Sequence, residues 1–108
     1  MVDVISAFMR GLEGPIMLWI MSNDHPVHGY ALIKEFERLT GQKLKPSKLY
    51  PLLYRLEDEG IITGEWIKKG CRAIRCYHLT QKGKTLLAEV TDLFKMPIKT
   101  IFIELLNE

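Results

Sequence analysis

Basic and hydroxyl-bearing side chains are concentrated on one side of a helix that the sequence predicts over residues 46–60. The inward side carries apolar residues at helical spacing: Leu49, Leu52, Leu53 and Leu56. The outward and flanking positions carry Ser47, Lys48, Tyr50, Tyr54 and Arg55. Ser47 is the predicted N-cap, and Gly60 is the predicted left-handed residue after the helix. Such a helix could lay its N-terminal half in a groove of DNA, or it could be an ordinary surface helix.

The other reactive side chains do not have the spacing of an enzyme or a metal protein. The cysteines and histidines lack the paired spacing of zinc ligands: Cys71, Cys76, His25, His28 and His78. No Ser/His/Asp set and no pair of carboxylates stands out. We therefore expect no catalytic residue, no metal and no cofactor. Cys71 and Cys76 could respond to oxidants, although turn and packing roles are more common for cysteines on a hairpin.

The distribution of charge is more informative than its sum. The chain has 108 residues, enough for one small domain, and its net charge of +2 is a weak argument for nucleic-acid binding. Residues 43–48 and 68–84, however, contain basic side chains and no acidic ones. The sequence shows no leader-like segment and no apolar run long enough to cross a bilayer. We therefore expect a cytoplasmic location and no membrane partner.

Three helices are predicted before residue 43. The first is short and ends near residues 11–14; its apolar positions are Val2, Ile5, Phe8, Met9 and Leu12. The second begins at Pro15, and its apolar run over residues 16–21 is typical of a buried helix, or else of a buried strand. The third begins at His28-Gly29 and ends at Gly41; its inward positions are Leu32, Ile33, Phe36 and Leu39. Together with the 46–60 helix, this third helix has the helix-turn-helix layout.

A two-stranded hairpin is predicted after Gly60, because the apolar period changes there from 3.6 to 2. Its strands are residues 61–67 and 72–79, and Gly70 is the positive-φ residue of the turn between them. The tip is basic, with Lys68, Lys69 and Arg72. Trp66 is expected to pack the hairpin against the helices. Helices followed by a basic hairpin are the order of a winged helix-turn-helix.

The C-terminal region predicts a helix with more apolar surface than a small domain can cover. Thr80 is the predicted N-cap, and Pro97 should kink or interrupt the helix. A homodimer would bury this surface. The predicted interface consists of Ile5, Phe8, Met9, Leu86, Val90, Leu93, Phe94, Ile98, Ile101, Phe102 and Leu105.

The predicted fold class is therefore mainly α (α+β): a winged helix-turn-helix with a two-stranded wing and N- and C-terminal dimerisation helices. Residues 1–79 would form the DNA-binding domain, including the N-terminal helix. Residues 80–108 would form the dimerisation helix, within one compact unit.

Four segments resemble the PadR family of transcriptional regulators. They are His28-Gly29-Tyr30, Leu49-Tyr50-Pro51-Leu52-Leu53, residues 55–60 and residues 77–83. The resemblance implies a homodimeric repressor that binds inverted-repeat operators in double-stranded DNA. In some members it also implies a small aromatic effector between the subunits, for which the candidate residues here are Phe8, Trp19, Phe94 and Ile98. Ser47-Lys48 and the Ala73-Ile74 interruption of the wing depart from the usual family pattern, so the operator sequence cannot be carried over.

The predicted DNA contacts come from the two helices, their connector and the wing. They are Tyr30, Lys34, Lys43, Lys45, Ser47, Lys48, Tyr50, Tyr54, Arg55, Lys68, Lys69 and Arg72. Arg55 could instead pair with Glu59 one helical turn away, and Tyr50 could pack partly inward. The competing hypothesis is a winged-helix adaptor that binds another protein and no DNA, with these side chains forming a solvated face.

Overall fold

The N-terminal part of the chain is one continuous helix in the computed structural model, which describes residues 3–23 and 25–107. Helix α1 (Val4–Ile20) runs through Gly11, Gly14 and Pro15, so the predicted break at residues 11–15 is wrong. Pro15 has no amide to donate to the carbonyl of Gly11, four residues earlier. The loss of this hydrogen bond is outweighed because the last turn of α1 buries Met17 in the core. Asp3 caps the helix by accepting a hydrogen bond from the Ser6 amide at 3.0 Å. Val2, predicted to belong to the apolar stripe, lies outside the described residues.

Two short helices follow and form the helix-turn-helix. Strand β1 (Val27–His28) leads into α2 (Gly29–Thr40), and α3 (Pro46–Asp58) comes after a short connector. His28 caps α2, and Gly41 ends it in the left-handed conformation at φ 69°, as predicted for this position. Gly60 is likewise left-handed at φ 72°. The predicted Ser47 cap is wrong: Lys45 occupies the N-cap position, because Pro46 has the φ of a first helical turn and no amide to be capped.

The predicted hairpin is present, with its second strand at the predicted residues and its first strand extended two residues toward the turn. Strand β2 (Ile62–Lys69) and β3 (Arg72–Leu79) pair antiparallel from Ile62↔Leu79 to Lys69↔Arg72, and Gly70 turns at φ 62°. The two-residue β1 adds a third strand on the other side of β3, in the order β1-β3-β2. β1 was not predicted, because a strand of two residues shows no periodicity. We call β2, β3 and their turn the wing.

One apolar core joins these elements. The leucine face of α3 packs inward as predicted: Leu49 and Leu53 are fully buried, Leu56 nearly so, and Leu52 partly. The core also takes residues from α1, α2, the connector and the base of the wing: Met17, Leu18, Ile20, Met21, Leu32, Phe36, Leu44, Ile61, Ile62, Tyr77 and Leu79. The predicted Ile16–Met21 run is therefore helical and mostly buried.

The C-terminal region consists of two helices. Thr80 caps α4 (Gln81–Lys95) by accepting a hydrogen bond from the Gly83 amide at 3.1 Å. Pro97 interrupts the helix as predicted, and α5 (Ile98–Leu106) follows. Large apolar side chains of both helices stay exposed, among them Leu93, Phe94, Ile101, Phe102 and Leu105. Among the helices of the described part of the chain, none has the length and hydropathy needed to cross a bilayer.

Gly83 should resist substitution, because a β-carbon there would overlap the backbone carbonyl oxygen of Ile61. We expect Gly83→Ala to lower the free energy of unfolding by about 1–3 kcal/mol in urea denaturation. Gly11→Ala is the matched control, since it also lies within a helix but has open space around it. That substitution should raise stability by about 0.5–1 kcal/mol. Equal effects of the two changes would contradict this packing.

Candidate nucleic-acid interface

The outer side of α3 presents polar and basic groups to solvent. With the leucine face buried, Ser47, Lys48, Tyr54 and Arg55 are all exposed. No side chain caps the first turn of this helix. Acidic residues are confined to its C-terminal end, so the N-terminal half is free of negative charge. This half can therefore approach a polyanion without electrostatic repulsion from its own side chains.

Tyr50 is partly exposed to solvent and partly packed against α2. The side chain is 38% exposed, and its hydroxyl lies against Gly29 at the start of α2. A β-carbon at Gly29 would come within 2.6 Å of that hydroxyl oxygen, so the glycine allows the close approach. The inward and outward predictions for Tyr50 are thus each partly correct.

Helix α2 and the connector add further exposed groups beside α3. Tyr30 is exposed and stacks on His28, with ring centroids 6.4 Å apart and an interplanar angle of 6°. The Lys34 ammonium lies 4.9 Å from the centroid of the Tyr30 ring. Lys43 and Lys45 are exposed in the connector. All of these predicted site residues are accessible to a ligand.

The wing tip supplies the remaining predicted cations. Lys68, Lys69 and Arg72 surround the Gly70 turn and are exposed. Arg55 forms no ion pair with Glu59: the ion pairs found in residues 3–23 and 25–107 are Arg38–Glu35 and Arg75–Glu57. Arg55 therefore remains available to a ligand.

A groove separates the two helices from the wing, and we call it the wing groove. Its volume is about 530 Å³, and it is lined by His28, Gly29, Tyr30, Tyr50, Tyr54, Trp66, Ala73, Ile74, Arg75 and Tyr77. Burial raises the pKa of Tyr77, and the nearby Glu57 carboxylate adds to the increase, so this hydroxyl stays protonated.

The prediction that Trp66 packs the wing against the helices is wrong. Its side chain is 68% exposed and lies over Arg75, its cross-strand partner, with the guanidinium carbon 5.4 Å from the ring centroid. The wing is held at its base by Ile62, Tyr77 and Leu79 instead. The predicted strand bounds, 61–67 and 72–79, would have paired Trp66 with Ala73; the two-residue turn at Gly70-Cys71 shifts the register and brings Trp66 opposite Arg75 instead.

Comparison of the chain with models of known protein families gives a match. Residues 17–89 match the model of the transcriptional regulator PadR-like family, and this match covers more than half of the chain. The chain belongs to the PadR-like family. It is a winged helix-turn-helix transcriptional regulator.

Known PadR-like proteins share the architecture over nearly its whole length. A structure from Bacillus cereus, described as a PadR-like transcriptional regulator, is 26% identical and superimposes with a TM-score of 0.83, covering 94% of this chain and 98% of that one. A PadR family regulator from Eggerthella lenta is 28% identical, with a TM-score of 0.71 over 95% and 93% of the two chains.

A curated relative is more similar in sequence over a shorter stretch. A transcriptional regulator of Mycobacterium tuberculosis is 39% identical over 66 residues, and the match spans 61% of each protein. The chain therefore covers less than two thirds of that relative's length.

Arg10 extends the basic surface of this PadR-like regulator, although no motif singled it out. It lies on α1, yet it borders the same shallow groove as Lys43 and Lys48, with a volume of about 180 Å³. Glu13 also lines this groove and offsets part of the charge. Only the packing of α1 beside the connector brings Arg10 to this place, so no local pattern could have predicted it.

A second, apolar cleft lies between α1 and α4. It has a volume of about 330 Å³ and is lined by Pro15, Ile16, Trp19, Leu87, Val90, Thr91 and Phe94. Of the four predicted effector residues, Trp19 and Phe94 line it. Phe8 and Ile98 do not: the ring of Phe8 meets that of Phe102 edge to face, with centroids 6.4 Å apart.

The two cysteines are free and lie in different environments. Cys71 is exposed in the wing turn, and Cys76 is buried in β3. Within residues 3–23 and 25–107, histidine, cysteine and acidic side chains form no group of three or more that could hold a metal ion.

Proposed function

We propose that this PadR-like regulator is a homodimeric repressor that binds an inverted-repeat operator in double-stranded DNA. The observation that carries the proposal is the exposed, acid-free surface formed by the first half of α3, the connector and the wing tip. Burial of the leucine face fixes which side of α3 turns outward. Helix α2, helix α3 and the wing all line the wing groove, so their exposed groups lie near one another.

In the proposed complex, α3 enters the major groove. Ser47, Lys48, Tyr54 and Arg55 project from the exposed side of this helix and would meet base edges or flanking phosphates. The connector lysines and Lys34 would contact phosphates on one side. The wing cations would reach the backbone on the other side. Phosphate contacts would supply much of the affinity, and base contacts from α3 would supply the selectivity.

The dimer in this proposal buries the exposed apolar surface of the N-terminal half of α1 and of α4 and α5. Ile5, Phe8, Leu93, Ile101 and Leu105 are each at least half exposed within one chain. Phe8 of α1 also contacts Phe102 of α5. Large exposed apolar side chains on neighbouring helices are typical of a protein interface. A two-fold axis through it would present two copies of α3 to the two halves of an inverted repeat.

We further propose that a small aromatic effector binds in the cleft between α1 and α4 and relieves repression. A volume near 330 Å³ and an apolar lining with Trp19 and Phe94 suit a planar aromatic molecule. The cleft lies between the helix that enters the core and a helix of the proposed dimer interface. A ligand that separates these helices would change the spacing of the two copies of α3.

Removing one wing cation should weaken binding to all duplexes alike. We expect Lys68→Ala, Lys69→Ala and Arg72→Ala each to flatten the plot of log affinity against log salt by about one unit. Fluorescence anisotropy with the duplex upstream of the protein's own gene measures this. Lys99→Ala, on α5, is the matched control and should leave the slope unchanged. If the protein bound no duplex in a salt-sensitive manner at low ionic strength, DNA binding would be refuted and the adaptor hypothesis favoured.

An effector that fits the α1–α4 cleft should stabilise the folded protein in proportion to its occupancy. In thermal denaturation with a panel of phenolic acids and other planar aromatic compounds, we expect at least one to raise the Tm. Trp19→Ala should abolish the increase, because this ring lines the cleft. Trp66→Ala is the control that keeps it, since Trp66 lies in the wing groove. No increase with any compound, or an equal increase in Trp19→Ala, would contradict the proposed site.

A further inference from the structure

We propose that Arg75 clamps the wing onto the end of α3 and thereby sets the angle between them, which makes Arg75 a positioning residue for operator binding. We call Arg75, Glu57, Trp66, Tyr77 and Gly64 the Arg75 clamp. The inference rests on the proposed function for its effect on DNA, but the clamp itself can be tested without DNA.

An ion pair joins the wing to α3. The Nη2 atom of Arg75 in β3 donates a hydrogen bond of 3.0 Å to the Oε2 atom of Glu57 in the last turn of α3. The side chains are 32% and 24% exposed, so solvent screens this pair less than an ion pair on an open surface. Within residues 3–23 and 25–107, it is the one ion pair that links two different elements; the other, Arg38–Glu35, lies within α2.

Two aromatic rings and a glycine hold the guanidinium in place. Its central carbon is 5.4 Å from the Trp66 centroid and 6.0 Å from the Tyr77 centroid, both within cation–π range. The register pairs Trp66↔Arg75 and Gly64↔Tyr77 place all four residues on one face of the wing. A β-carbon at Gly64 would come within 2.9 Å of the guanidinium, so this glycine leaves the space that Arg75 occupies.

The clamp lies where the wing leaves the core. Tyr77 is buried, whereas the pairs nearest the tip, Lys68↔Ala73 and Lys69↔Arg72, are exposed. A two-stranded ribbon has little stability of its own, so its direction depends on what it packs against. Arg75 lies two strand pairs closer to the tip than Tyr77. Its ion pair joins this part of the wing to α3, the helix that would contact the bases.

Loss of the Arg75 clamp should change DNA binding differently from loss of a phosphate contact. Glu57 already neutralises the Arg75 charge, so losing the pair should lower affinity without changing the number of phosphates contacted. The variant Glu57→Gln/Arg75→Gln removes the pair and leaves the net charge of the chain unchanged. A double change Glu35→Gln/Arg38→Gln is the matched control, because it removes the exposed pair within α2 in the same charge-balanced way.

The test has one readout without DNA and one with it. In a Trp19→Phe background Trp66 is the sole tryptophan, and its time-resolved anisotropy reports motion of this ring within the clamp. We expect the clamp variant to show faster and wider motion of Trp66 than the control. It should also bind the upstream duplex about tenfold more weakly, with the salt slope retained within about half a unit.

Gly64→Ala is a second variant that displaces the guanidinium without altering any charge, and it should shift both readouts in the same direction. Far-ultraviolet circular dichroism checks that each variant is folded. Unchanged Trp66 motion in both variants would overturn the clamp, whatever the result with DNA. Faster motion of Trp66 with unchanged affinity for the duplex would overturn the role of Arg75 in positioning the wing for DNA. If the unmodified protein bound no duplex while the variants freed Trp66, the clamp would stand and the proposed function would fall.

Discussion

Burial of the leucine face of α3 is the constraint on which the rest of the structure depends. Leu49 and Leu53 are fully enclosed by residues of α1, α2 and the wing base, and this packing fixes the rotation of the helix about its axis. Because positions on a helix repeat every 3.6 residues, the same packing turns Ser47, Lys48 and Tyr54 to solvent. The exposed basic surface is therefore a consequence of the core.

The sequence predicted the elements whose signals are local. Glycines with positive φ end α2, follow α3 and turn the wing, and Thr80 caps α4, all at the predicted positions. The errors arose where tertiary packing overrides a local preference. Pro15 and two glycines suggested a helix break, but burial of the following turn keeps α1 continuous. Trp66 was predicted to face the helices, but its surroundings depend on the strand register and on Arg75.

Because α1 is continuous, it joins the core rigidly to the exposed N-terminal half of the helix. Two separate helices would lack this connection. Its C-terminal turns lie in the same core as α3, while its N-terminal half carries the exposed Ile5 and Phe8. The cleft lined by Trp19 and Phe94 lies along this helix. In the proposed mechanism, a change at the cleft or at the dimer interface would therefore reach α3 through one rigid element. Arg75 would carry the same displacement from α3 to the wing.

Selection of bound duplexes from a random DNA library tests the central claim most directly, because it reports the half-site, its spacing and its symmetry together. The account predicts enrichment of an inverted repeat whose half-sites are centred about one helical turn, or a multiple of it, apart. Two chains should bind each selected duplex. Enrichment of no sequence, or of a single unrepeated site bound by one chain, would contradict the account.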